Sequence, residues 1–194
     1  MSNQTFPKRY HPVHVVLHWL VAILTIFLLA IGFLVFPNTP NAQEIQMLGM
    51  HKMAGMLLGL LMVSRLITRF VLKRPAAADA GHPLLNLVGK IVHFLLYAGV
   101  FAIMAAGGSL GQAYGLDNIL KGDGTMPENL FIYPQLPIHG NISYILIALI
   151  AMHAGAAFYH QFIRKDNLLG RMSVSYTHLR AHATDSYLVC RLLL

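Results

Sequence analysis

"HGNISYILIALIAMHAGAAFYHQFIRKDN", residues 139–167, decides how this chain is read. It is an apolar run long enough for a membrane-crossing helix, which takes about 20 such residues, yet it carries His139, His153 and His160. A histidine in hydrocarbon is costly unless something binds it. His139 and His153 stand 14 residues apart, which at ~100° per residue returns to within about 40° of the same face and climbs ~21 Å. One stripe of the helix therefore carries imidazoles at two depths. His160 lies seven residues further, on nearly the same stripe, and competes with His153 for any role given to it.

The rest of the chain has the same character. Of its 194 residues 56% are hydrophobic and only 11% charged, and the mean hydropathy is +0.59. The apolar residues fall in four blocks, 17–36, 47–72, 87–107 and 142–163, each reaching or approaching the length of a membrane span. The fold expected is all-α, an integral membrane four-helix bundle, with one domain over residues 1–172. The first block has span length and no small-residue cleavage site behind it, so it is expected to stay as a span. Cys190 is the single cysteine, which excludes an intramolecular disulfide or a multi-thiolate metal site. Any metal has to be held by histidine.

The formal net charge of +7 is arranged by topology rather than in a nucleic-acid-binding patch. Lys8 and Arg9 precede the first block, Arg65, Arg69, Lys73, Arg74 and Lys90 flank the second connection, and Arg164, Lys165 and Arg171 follow the fourth block. The other connections hold only Lys52 and Lys121 against Glu44, Asp117, Asp123 and Glu128. The positive-inside rule then puts both termini of a multi-pass membrane protein in the cytoplasm. Membrane lipid is the expected partner, and nucleic acid is not. The connection over residues 108–137 is long and rich in Gly and Pro, with a short surface helix expected near 116–120; long outer loops usually cover something. From residue 173 the composition breaks to "SVSYTHLRAHATDSYLVCRLLL", read as a non-native or disordered tail whose His178 and His182 are set aside.

Depth sorts the remaining histidines. His18 is nine residues past Arg9 and His153 eleven before Arg164, so both lie ~13–16 Å along their helices from the same side. His51 is eighteen residues from Arg69, ~27 Å from that side, and His139 opens the fourth block opposite. Two pairs follow, His18 with His153 and His51 with His139. Stacked ~21 Å apart, they suit two haem b groups, because each haem iron has two axial positions that neutral imidazoles fill without adding charge to the hydrocarbon. Gly55 and Gly59 after His51, and Gly32 on the His18 face, offer bare backbone to such a plane, although small residues also serve ordinary helix packing. Arg65, fourteen residues after His51, faces the inner level and can pair a haem carboxylate. His11, His14 and His82 read as interfacial, and His93 is ambiguous.

These residues together resemble a known family. "VLHWLVAIL" around His18, "HKMAGMLLGLLMVSRLITR" from His51, the His139/His153 spacing and the "HQFIRKDNLLGRM" ending are similar to the bacterial cytochrome b561 family of four-helix dihaem proteins. The resemblance covers residues 10–172 and is weakest over 107–137. It implies haem-iron ligation by His18, His51, His139 and His153, electron transport in the bacterial inner membrane, and ubiquinone as substrate or acceptor. Some members look like superoxide oxidases that pass an electron from superoxide at the outer face to ubiquinone. Related four-helix cytochromes serve as membrane subunits for a redox partner protein of hydrogenase or dehydrogenase type, and the sequence does not choose between these donors. Under the superoxide reading, Lys52 and Lys121 are the outer cations able to steer an anion. The competing non-redox class is a His-lined transporter, which calls for carboxylates within the spans; every acidic residue lies outside the apolar blocks.

Overall fold

A computed structural model describes residues 9–36 and 41–173. Helix α1 (Pro12–Ala30) runs on through a π-helical turn (Ile31–Val35). It is followed by α2 (Asn41–Val71), α3 (Pro83–Ala113), the short α4 (Leu116–Lys121), a 3-10 turn (Leu130–Ile132) and α5 (Gln135–Phe158). A second π-helical turn (Tyr159–Ile163) extends α5, and α6 (Leu168–Arg171) closes the described chain. No strand occurs among the described residues. Four helices have the length and composition of membrane spans, over Pro12–Leu34, Gln43–Val71, Pro83–Ala113 and Gln135–Ile163. The chain is thus all-α with four span-length helices, as the hydropathy pattern predicts. The tail beyond residue 173 and the connection 37–40 lie outside the described residues.

Two of the long helices start on the same local signal. His11 and His82 are each followed by proline, and each histidine Nδ1 accepts from the backbone N–H two residues on, Val13 at 3.3 Å and Leu84 at 3.2 Å. The imidazole satisfies a donor that the first turn leaves free, while proline sits where no N–H is needed. Both ends read as interfacial from sequence, and capping is what holds them there. His14 differs from that expectation. It is buried and stacks on Tyr10 at 5.2 Å, because one turn into α1 its ring turns inward rather than toward the surface.

The bundle is two close pairs, α1 against α2 and α3 against α5, joined more sparsely through α2 and α3. Its core is a mid-depth layer of Val21, Leu28, Leu58, Met62, Val100 and Leu146. Leu146 lies seven residues from both His139 and His153, so the apolar layer separates the two histidine depths. Gly99 makes room for it: a Cβ there would stand 2.8 Å from Leu146 Cδ2. The outward faces carry exposed Ile23, Leu60, Phe70, Phe94 and Ile163, apolar surface of the kind that a bilayer covers.

One end of the bundle, called here the basic end, is stitched together by backbone carbonyls. Trp19 Nε1 donates to Met172 O at 3.0 Å, Arg171 to Ala76 O at 3.2 Å and Arg164 to Ala80 O at 3.0 Å, and Tyr10 N reaches Arg171 O at 3.2 Å. The first described residues, the α2–α3 connection and the segment after α5 therefore meet at one end. The opposite, loop end is covered by α4, bracketed by Gly115 and Gly122 at positive φ. Its Leu116 and Ile119 are buried, and Leu120 lies over the bare Cα of Gly49 on α2. The short helix predicted near 116–120 is present and acts as a cover.

Candidate functional site

The histidines meet across the two helix pairs rather than within them. Near the loop end, His51 of α2 and His139 of α5 have ring centres 6.3 Å apart. Toward the basic end, His18 of α1 and His153 of α5 are 6.1 Å apart. The structure therefore brings together the two pairs that depth along the sequence assigns, on one α5 stripe and separated by the Leu146 layer.

Each level has its own surroundings. At the loop level, His139 Nδ1 donates to the carbonyl of Ile103 at 3.0 Å. A carbonyl only accepts, so Nδ1 carries the proton and Nε2 is left with its lone pair. Gly107 of α3 makes this possible, since a Cβ there would lie 2.9 Å from the His139 ring. Phe36 flanks His51 at 5.4 Å, and His51 Nδ1 is buried with no hydrogen-bond partner among the described residues. At the basic level, Trp19 lies 5.3 Å from His18, and Arg65 Nη1 approaches His18 Nδ1 at 2.5 Å. His93 of α3 joins this level, its ring 4.9 Å from His153 and its Nδ1 donating to Gly89 O at 2.7 Å.

The arrangement fits a metal held between two imidazoles. A metal–nitrogen bond of about 2 Å, with ring nitrogen about 1.2 Å from ring centre, sets two imidazoles on one iron about 6.3 Å apart. Both pairs fall at that spacing. Gly55, one turn after His51, and Gly32 have nothing within 4 Å of where a Cβ would be, so backbone is bare there. Gly59 differs, because the end of Met104 fills the place of its missing Cβ; its smallness serves packing between α2 and α3. Among the described residues no group of three or more His, Cys, Asp or Glu side chains is arranged to hold a bare metal ion, and each pair offers two imidazoles, as many as the axial positions of one haem iron.

His160 does not join its stripe. It sits in the π-helical turn, where the count per turn changes, and its buried ring donates from Nδ1 to Asp166 at 2.6 Å. Arg65 stands at the level the count from His51 predicts, beside His18. Lys52 differs from the sequence expectation of a free steering cation. It forms an ion pair with Asp117 of α4, which cancels its charge at a distance and holds the Asp117 carboxyl below the ordinary 3.8. Gly107, Tyr97 and Asp117 escaped the sequence reading. Tyr97 is four residues and Gly107 fourteen after His93, so the helical count puts both on that histidine's face of α3 but does not say which helix that face meets.

Comparison with known proteins bears on this geometry. The prokaryotic cytochrome b561 family matches residues 9–173. The chain belongs to that family. Membership implies haem b binding, the cofactor the paired imidazoles fit, and a membrane cytochrome of bacterial type. Two similar relatives, cytochrome b561 homolog 2 and homolog 1 of Escherichia coli (strain K12), are each 28% identical. They cover 89% and 85% of this chain and 95% and 97% of their own lengths. A third, named "Probable superoxide oxidase CybB" of Yersinia pestis, is 26% identical over 85% of this chain and 96% of its own. No solved structure matches significantly.

Proposed function

We propose that this chain is a dihaem b-type cytochrome that carries electrons from a donor at the loop end to the quinone pool at the basic end. The observation that carries the proposal is the repetition of one ring spacing at two levels of a single helix, 6.3 Å for His51 and His139 and 6.1 Å for His18 and His153. Each haem would supply a one-electron carrier inside hydrocarbon. The four histidines would hold the irons, and Arg65 would pair a haem carboxylate at the basic level. The positive-inside rule makes the basic end cytoplasmic, and the prokaryotic family supports a bacterial inner membrane as the place.

Superoxide is the donor favoured here, supported by the name of the Yersinia pestis relative. With Lys52 paired to Asp117, steering of that anion rests on Lys121. Ubiquinone is the proposed acceptor, entering from the lipid into a pocket of mostly apolar lining with few polar contacts. A transporter reading draws no support from the spans, since Glu44 in the first turn of α2 is their only acidic residue.

Superoxide generated outside vesicles or nanodiscs holding the protein should reduce the haems quickly, and added ubiquinone should reoxidise them. Haems that stay oxidised under a superoxide flux yet reduce with a quinol would replace superoxide with another donor, such as a hydrogenase- or dehydrogenase-type partner.

A further inference from the structure

The two histidine levels differ most in charge. At the loop level the cation next to the pair is Lys52, and Asp117 neutralises it. At the basic level the Arg65 guanidinium reaches the His18 ring, and neither Arg65 nor Arg69 has an ion-pair partner among the described residues. Tyr97 of α3 takes the place of one. Its hydroxyl accepts from Arg65 Nε at 2.9 Å, and its ring face lies 5.7 Å from the Arg65 guanidinium carbon and 5.6 Å from that of Arg69. A neutral phenol thus holds two cations at one level of the span by hydrogen bonding and cation–π attraction without cancelling their charge.

We propose that Tyr97 is a positioning residue that fixes the Arg65 charge beside the His18/His153 site, making it the higher-potential site and setting electron flow from the loop end to the basic end. This rests on the reading above that each pair holds a haem. A fixed positive charge favours the reduced iron, which carries one positive charge fewer, and the effect grows in low-dielectric surroundings. The sign is the same whether the guanidinium acts on the iron or offsets a haem carboxylate. The division of labour within Arg65 suits the second case. Were Nε2 of His18 committed to an iron, Nδ1 would carry the ring proton and no longer accept from Arg65 Nη1, so Nη1 would be free for a carboxylate while Nε stays anchored on Tyr97.

Redox titration of the haem-loaded protein, followed at the visible bands, tests this. The His51→Ala protein, retaining only the His18/His153 site, assigns the components. Wild type should give two one-electron steps with the His18/His153 site the higher. Tyr97→Phe should lower that step and leave the other in place, and Arg65→Gln should lower it further. A wild-type protein with no haem absorption overturns the haem reading itself. Normal haem spectra with the His18/His153 step the lower of the two, or unmoved by Tyr97→Phe, overturn the role of Tyr97 and leave the haem reading intact. If Tyr97→Phe does not assemble, Arg65→Gln decides on the same titration, and an unchanged basic-end potential rejects the proposal.

Discussion

The loop-end and basic-end histidine pairs are built on the same stripe of α5, yet their surroundings have little in common. His139 is locked by a backbone carbonyl and seated against a glycine, at the end of the bundle where α4 packs on α2 and α3. His153 stands among ionisable and polar side chains, with His18, His93, Arg65 and Tyr97 around it. Helical periodicity fixes where the imidazoles stand. The neighbouring helices decide how rigid and how charged each site becomes. An electron carrier gains from this separation, because geometry can repeat while potential differs.

The largest break in the comparison comes from Gly107. Gly107→Val places branched carbons where the His139 ring lies, since even a Cβ would stand 2.9 Å from it. The loop-end haem should be lost while the His18/His153 haem stays, halving the haem per chain in a pyridine haemochrome assay. Loss of both would mean that the sites are not independent.

His160 sharpens the same comparison from the other end. His160→Ala should keep both haems, because the ring serves Asp166 rather than an iron. Removing this buried partner should cost about 1–3 kcal/mol, read as a lower thermal midpoint in detergent. If His160→Ala loses a haem while His153→Ala keeps both, the α5 register proposed here is wrong.

The smallest effects belong to the cover and the tail. Asp117 is held below 3.8 by Lys52, so the pair contributes above that value and is lost as pH falls through the lower folded value. Exposed pairs of this kind contribute little. Asp117→Asn should modestly speed hydrogen exchange in Leu116–Lys121 at neutral pH, and the difference from wild type should shrink below pH 3.8 and vanish once pH falls beneath the lower folded value. Deleting residues 173–194 should leave membrane insertion and haem content unchanged; a truncated protein that fails to assemble would make that segment part of the domain.

The sequence carries the spans and the histidine stripe plainly, since both follow from apolar run length and a constant angle per residue. The spans run longer than their apolar blocks, as in α3, which starts at the His82 cap and Pro83 and continues through Gly-rich turns to Ala113. What sequence does not carry is whatever depends on which helices become neighbours. Tyr97 under Arg65, Gly107 under His139 and Asp117 on Lys52 are all contacts between elements. The sequence leaves the role of His160 open beside His153, and the structure gives its ring to Asp166 from the π-helical turn at Tyr159–Ile163, where the constant angle on which the stripe is counted changes.

The most direct test of two haem sites is stoichiometry sorted by ligand. Haem b per chain should be two in the purified wild type, with a low-spin spectrum. It should fall to one in each of His18→Ala, His51→Ala, His139→Ala and His153→Ala. The spectrum that remains should be the same for His18 and His153 variants, and differ from the one shared by His51 and His139 variants. One haem per chain in the wild type, or variants that sort into any other pairs, would contradict the account.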